Sequence, residues 1–347
     1  MSGGYTLITG GAGFIGTNLA ARLLRQGKRV LIYDNLSREG VERNLDWLFS
    51  EFSEGLDFQK ADVRDEQSLR EAVRSSEAVF HLAAQVAVTS SLDDPIHDFE
   101  VNARGTLNLL EALRERKDPP PLLYTSTNKV LGGMERLEVT ERSKRYEPTD
   151  PAILKHGIGD GWGIEFCSPY GCSKGAADQY VLDYAKNFGL PAVVFRMSCI
   201  YGPHQCGNED QGWVAHFVKQ AIASLPVTFY GDGKQVRDAL FVEDLIDAFL
   251  LAHQKIDRTR GRAFNIGGGV DNTVSLVELV EKIADAGTPI PEIRREPWRP
   301  SDQRYYVSDI RAFHETTGWA PKVPFDEGLQ QLHDWTTKTA PVTDELT

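Results

Sequence analysis

Tyr5-Thr6-Leu7-Ile8-Thr9-Gly10-Gly11-Ala12-Gly13-Phe14-Ile15-Gly16 is the stretch on which the fold turns. A short apolar run meets glycines at 10, 13 and 16, and an amphipathic stretch, Phe14–Gln26, follows at once. The change of hydrophobic period predicts a strand, a tight turn and a helix. At such a junction Gly10 permits the turn, Gly13 lets the backbone approach a pyrophosphate, and Gly16 lets helix and strand pack closely. Phe14 and Ile15 open the helix, whose first N–H groups and partial positive charge favour an anion.

Working outward, Arg29–Asp34 reads as a second strand ending on an acidic side chain that can accept both ribose hydroxyls, which favours NAD over NADP. Arg38, in Asp34-Asn35-Leu36-Ser37-Arg38, is the opposing feature, because a guanidinium there can receive a 2′-phosphate. Asn35 and Ser37 flank the same site. After a third strand, Phe58–Ala61, Asp62-Val63 suits an adenine edge, although Asp62 has an equal claim as a helix cap. After a fourth, Ala78–Leu82, comes Leu82-Ala83-Ala84-Gln85, where the small residues leave room for a cofactor near the backbone.

Further strands are predicted at Leu122–Ser126 and Ala192–Arg196, and helices at Glu66–Arg74, Pro95–Arg116 and Gly171–Asn187. This alternation predicts an α/β fold with a Rossmann-type, doubly wound parallel sheet. After Ile200 the pattern loosens and Gly, Pro and charged residues cluster, as expected of a smaller, loop-rich C-terminal lobe that binds substrate. Residues 1–200 are read as mainly NAD-binding and catalytic, and 201–335 as mainly the substrate lobe, with the chain free to cross between them. Residues 336–347 are read as a frayed tail.

Fifty acidic against 38 basic residues give a net charge of -12, which disfavours nucleic acid or an anionic membrane as partner. An anionic substrate therefore needs a local basic pocket. The four cysteines lack the spacing of a metal site or a disulfide framework. Cys199, His204 and Cys206 do not match zinc-ligand patterns, so no metal is expected. Without a leader or an apolar run long enough to span a bilayer, the expected location is the cytoplasm.

Tyr170-Gly171-Cys172-Ser173-Lys174 puts Tyr170 and Lys174 on one face of a helix start. An ammonium near a phenol favours phenolate and turns a poor base into a usable one. Thr125-Ser126-Thr127 ends the fifth strand, at the carboxyl edge where such sheets present side chains to a cleft. There the Thr127 hydroxyl can meet a substrate hydroxyl.

The glycine fingerprint, acidic strand end, Thr125–Thr127 and Tyr-x-x-x-Lys together resemble the extended short-chain dehydrogenase/reductases of the NAD-dependent epimerase/dehydratase family, over nearly the whole chain. The resemblance implies that Tyr170 is the base, that Lys174 lowers its pKa and binds the nicotinamide ribose, and that Thr127 steadies the reacting hydroxyl. It implies a nucleoside diphosphate sugar as substrate. Dehydratases of the family carry an acidic pair after this Thr, whereas Asn128-Lys129 stands here. Ser126–Val130, Ser168–Tyr180, Asp210–Val214, Gly231–Asp238 and Ser301–Arg304 are similar to the branch that inverts C2 of CDP-linked sugars.

On that resemblance, Thr127, Asn128, Lys129, Cys199, Gln211, Trp213, Arg237, Arg299 and Asp302 contact substrate, with the arginines on the diphosphate. A homodimer or homotetramer is also implied. Three features depart from the pattern: Leu131 for a usual Tyr, Cys199 for a frequent Asn, and the divergent stretch Gly132–Phe166. A 4-epimerase shares every cofactor residue, and an NAD-binding redox sensor would keep the fold without needing Thr127, Tyr170 and Lys174.

Overall fold

The computed structural model describes residues 4–299 and 302–339. Its centre is a seven-stranded parallel sheet: β1 (Tyr5–Thr9), β2 (Val30–Asp34), β3 (Leu56–Lys60), β4 (Ser76–His81), β5 (Leu122–Thr127), β6 (Ala192–Met197) and β7 (Ala263–Ile266). Strand order is β3-β2-β1-β4-β5-β6-β7, so the winding reverses between β1 and β4. In an open sheet of this kind the ligand cleft lies beyond the carboxyl ends at that reversal.

Most strands are apolar at successive positions because both faces are covered, whereas the edge strand β3 alternates, with Leu56 and Phe58 among polar residues. Ile8 packs with Leu19 and Leu23 of helix α1 (Phe14–Arg25), while Leu7 packs with Leu109, Leu110 and Leu113 of α2 (Gly105–Arg114). The helix α3 (Ser168–Asn187) shares the second face through Ala177 and Val181. On the first face, α4 (Val242–Gln254) stacks Phe249 on Phe80 of β4, ring centroids 5.9 Å apart.

The second unit is more regular than a loop-rich lobe. Val236–Phe241 pairs with Cys199–Tyr201, Thr273–Ser275 and Tyr305–Tyr306, and Val227–Tyr230 pairs with Ile293–Glu296. Its core gathers Tyr201, Phe217, Phe229, Phe241, Phe325 and Leu329. Within 201–335, α4 and β7 belong to the central sheet and its cover rather than to this unit.

Two other expectations are corrected. Pro95–Arg116 is not one helix but Pro95–Phe99, a π-helical turn at Glu100–Arg104, and α2. The expected frayed tail begins inside a helix, Phe325–Thr339, where the Thr336 hydroxyl donates to the Leu332 carbonyl at 2.8 Å. Residues 340–347, and Ser301 of the quoted similarity, lie outside the described residues. Among the described residues no helix is long and apolar enough to cross a membrane.

Candidate active site

A cavity of about 700 Å³ opens at the carboxyl ends of β1, β2, β4 and β5. Gly10, Gly13, Phe14, Ile15 and Gly16 line it, as do Asp34, Asn35, Ser37, Arg38, Asp62, Val63, Leu82, Ala83, Ala84, Gln85 and Thr125. So do Thr127, Asn128, Lys129, Tyr170, Lys174, Cys199, Gln211 and Trp213. Arg237, Arg299 and Asp302 do not line it. They stand behind its wall in the second unit.

The glycine turn fits a dinucleotide for reasons visible in the backbone. Gly10 has φ +69, and a Cβ there would come within 2.6 Å of the Ala83 nitrogen. A Cβ on Gly16 would come within 2.6 Å of the Gly10 carbonyl oxygen. Gly13 caps α1 without a side chain, leaving the first N–H groups facing the cavity.

Across this turn, the Asp34 carboxylate accepts the N–H groups of Ala12 at 3.1 Å and Leu36 at 2.9 Å. Two of its roughly four acceptor positions are thus used, and the others suit the two hydroxyls of a ribose. Burial pushes its carboxyl above the ordinary range, although both backbone donors oppose this. Asn35 Nδ2 donates to Asp62 at 2.8 Å, and the hydrogen-bonded Arg64 guanidinium holds the Asp62 carboxyl well below the usual range. Arg38 donates to Gln211 of the second unit, bridging the cavity.

Thr127 ends β5 and accepts the Lys129 N–H at 3.2 Å, which starts the 3₁₀ turn Asn128–Leu131. Lys174 Nζ donates to the Thr125 carbonyl at 2.6 Å and lies 4.4 Å from the Tyr124 ring centroid. Burial brings its ammonium down to about 7, against the pull of Asp178 and Asp98. The Tyr170 phenol is itself enclosed. Burial lifts its phenol to about 12, and its hydrogen bond with Thr127 only partly offsets this.

Sequence reasoning missed a polar knot that fixes these groups. Asn102, in the π-helical turn, accepts from the Gln85 N–H at 2.9 Å and donates to the Gln85 carbonyl, Asp98 and the Ser173 hydroxyl, each at 3.1 Å. Ser173 lies between Tyr170 and Lys174 and also donates to Asp98. The available signals were a polar Asn102 beside an apolar helix face and a buried Ser inside the Tyr-x-x-x-Lys turn.

At the far end, Trp213 Nε1 donates to the Cys199 thiol at 3.0 Å, and His204 packs on Trp47 with the rings tilted and their centroids 4.1 Å apart. Arg237 donates to Asp302 at 2.7 Å. Arg299 pairs with Asp210, which lines the cavity, at 3.2 Å, and its guanidinium lies 3.8 Å from the Tyr230 ring centroid.

A family model described as GDP-mannose 4,6 dehydratase matches residues 7–332. The chain is 44% identical over 337 residues to CDP-paratose 2-epimerase of Salmonella typhi, covering 95% of this chain and 98% of that protein. Among solved structures, UDP-glucose 4-epimerase of Thermotoga maritima with UDP-glucose superposes with a TM-score of 0.83 at 29% identity, covering 97% of this chain and 100% of that one. The complex of Thermus thermophilus UDP-glucose 4-epimerase with NAD gives 0.79 at 32% identity, covering 96% and 99%.

Proposed function

Because the chain belongs to the GDP-mannose 4,6 dehydratase family of NAD-dependent epimerases and dehydratases, we propose that it is an NAD-dependent epimerase that inverts C2 of a CDP-linked sugar. The observation that carries this reading is the meeting of Thr127, Tyr170 and Lys174 on one dinucleotide-sized cavity, with Asn128-Lys129 where dehydration needs an acidic pair. The similarity to CDP-paratose 2-epimerase supports the choice of carbon and nucleotide.

Bound NAD supplies first the acceptor and then the donor of a hydride, so C2 is oxidised, the keto sugar turns, and reduction occurs on its other face. The α1 N-terminus holds the pyrophosphate, Asp34 the adenosine ribose, Asp62 and Val63 the adenine edge, and Leu82–Gln85 the adjoining wall. Tyr170 takes the C2 hydroxyl proton and later returns it, with Thr127 steadying the same substrate hydroxyl. The Tyr170 phenol lies far above neutrality through burial, so its work depends on cationic neighbours, of which Lys174 is one helical turn away. Cys199, Gln211 and Trp213 seat the nucleotide end, with Arg237, Arg299 and Asp302 behind them.

Leu92, Ile96 and Phe99, with Tyr180 of α3, are exposed at 49%, 75%, 52% and 45%. This apolar surface supports a homodimer formed through these helices. A second reading, inversion at C4, is favoured by the likeness to the two UDP-glucose 4-epimerase structures. Incubation with CDP-, UDP- and GDP-linked sugars, read by NMR, separates the two. The proposal expects C2 inversion with CDP-sugars, and inversion confined to C4 would overturn it.

A further inference from the structure

We propose that Gln303 is a positioning residue for the catalytic end of the cavity: from the second unit it turns the Asn128 amide so that its oxygen, not its NH2 group, meets the Thr127 hydroxyl. The inference deepens the epimerase reading and rests on it for the part Thr127 plays. Gln303 is fully buried and does not line the cavity. It lies two residues before Tyr305–Tyr306, which pairs with Val236–Phe241, so the sheet of the second unit holds it in place. Asn128 does line the cavity and follows Thr127 at the end of β5.

The direction of every bond in this line follows from one carbonyl. The two ends of an amide have the same shape, and their partners decide which is which. A backbone carbonyl can only accept, so the end of Gln303 that lies 2.7 Å from the Gly132 oxygen is its NH2 group. Gln303 Oε1 is thereby left to face Asn128, and it accepts from Nδ2 at 3.2 Å. That leaves Asn128 Oδ1 for the Thr127 hydroxyl, which donates to it at 3.3 Å. Reversing either amide would set donor against donor or acceptor against acceptor in an enclosed place.

The consequence falls on Thr127, whose hydroxyl has one proton and two lone pairs. One lone pair takes the Lys129 N–H at 3.2 Å and the proton goes to Asn128. The other lone pair remains for the catalytic side, where Thr127 is hydrogen-bonded with Tyr170. The reacting sugar oxygen is a hydroxyl before and after turnover and a carbonyl in between. Thr127 can accept from the first through its open lone pair. By turning its proton away from the long 3.3 Å contact, it can donate to the second. With Asn128 reversed, both lone pairs would be filled and Thr127 could only donate.

Gln303→Met removes both ends of the amide, whereas Gln303→Glu keeps an oxygen facing Asn128 Nδ2. With CDP-paratose and bound NAD, kcat/KM of Gln303→Met should fall about tenfold through the lost directed hydrogen bond. Gln303→Glu should recover all but about threefold of it, although it forces a carboxyl into the interior and should be the less stable of the two. Activity and stability thus rank the variants in opposite order, which a merely structural role would not do. NAD binding should match wild type in both. Wild-type kcat/KM in Gln303→Met, or equal loss in both variants at a temperature where both are folded, would overturn the positioning role. A double-mutant cycle with Asn128→Leu, read by urea unfolding, tests the contact without substrate. Its unfolding constants should be coupled at least about threefold, and additive effects would overturn the contact. Inversion only at C4 by wild type would refute the C2 reading instead, while the cycle, and the same variants assayed at C4, would still decide the place of Gln303.

Discussion

Replacing Gly10 and Gly13 separately by alanine should produce different failures, although both glycines belong to one fingerprint. Gly10 has φ +69, and an alanine in the left-handed region costs about 1–2 kcal/mol. Its Cβ would also lie 2.6 Å from the Ala83 nitrogen and 2.8 Å from the Leu82 carbonyl carbon. These are backbone atoms that cannot swing aside, so overpacking adds about 1–3 kcal/mol. Together Gly10→Ala should destabilise by about 2–5 kcal/mol, or about 4–10 °C in Tm. NAD affinity should fall as well, because the displaced segment lines the cavity.

Gly13 has φ -69, and an added Cβ would meet only the Gly10 carbonyl oxygen, at 3.2 Å. Gly13→Ala should therefore leave stability within about 1 kcal/mol. A methyl at the α1 N-terminus would hinder pyrophosphate approach, weakening NAD by about 10- to 100-fold through lost N–H contacts. Thermal unfolding without added cofactor and NAD titration by calorimetry separate the two effects. Wild-type NAD affinity in Gly13→Ala, or an unchanged Tm in Gly10→Ala, would refute the account of the turn.

Tyr170→Phe should keep the fold and NAD binding but lower turnover by at least about a thousandfold, since it removes the group that exchanges the substrate proton; turnover near that of wild type would remove Tyr170 from the chemistry. His81 is buried between Thr9 and Thr106, and burial holds it down to about 3. Its contribution to stability is complete above the unfolded value near 6.5 and is lost as pH falls from there towards 3, at up to about 1.4 kcal/mol per pH unit. Urea midpoints of wild type and His81→Gln across this range should converge at low pH, and parallel curves would contradict the assignment. Asn102→Leu should cost about 2–4 kcal/mol and slow turnover at least about tenfold, because the Gln85 N–H, Asp98 and Ser173 lose their shared partner. Denaturation and steady-state rates check both.

The central sheet was legible because five of its first six strands carry an apolar run, β3 alternates Leu56 and Phe58 with polar residues, and the expected cofactor residues sit where these strands stop. The seventh strand, Ala263–Ile266, escaped. It has four residues, one of them Asn265, and exists through pairing with β6. The interruption of Pro95–Arg116 was hidden because apolar spacing continues through Glu100–Arg104, while its anchors, Gln85 and Ser173, are remote in sequence. Placing Arg237 and Arg299 behind the cavity wall required the pairing of the second sheet, which no local pattern encodes. The Tyr170 phenol shows another limit. Its spacing to Lys174 announces an ammonium one turn away, but the burial that raises the phenol depends on packing against distant chain.

The central claim is that a hydride leaves C2 of a CDP-linked sugar and returns to the opposite face of the same carbon. CDP-paratose deuterated at C2, incubated with the protein in ordinary water and followed by NMR, tests this most directly. The account predicts an inverted C2 that retains its deuterium. Loss of the label to solvent, or inversion at C4 with C2 untouched, would contradict it.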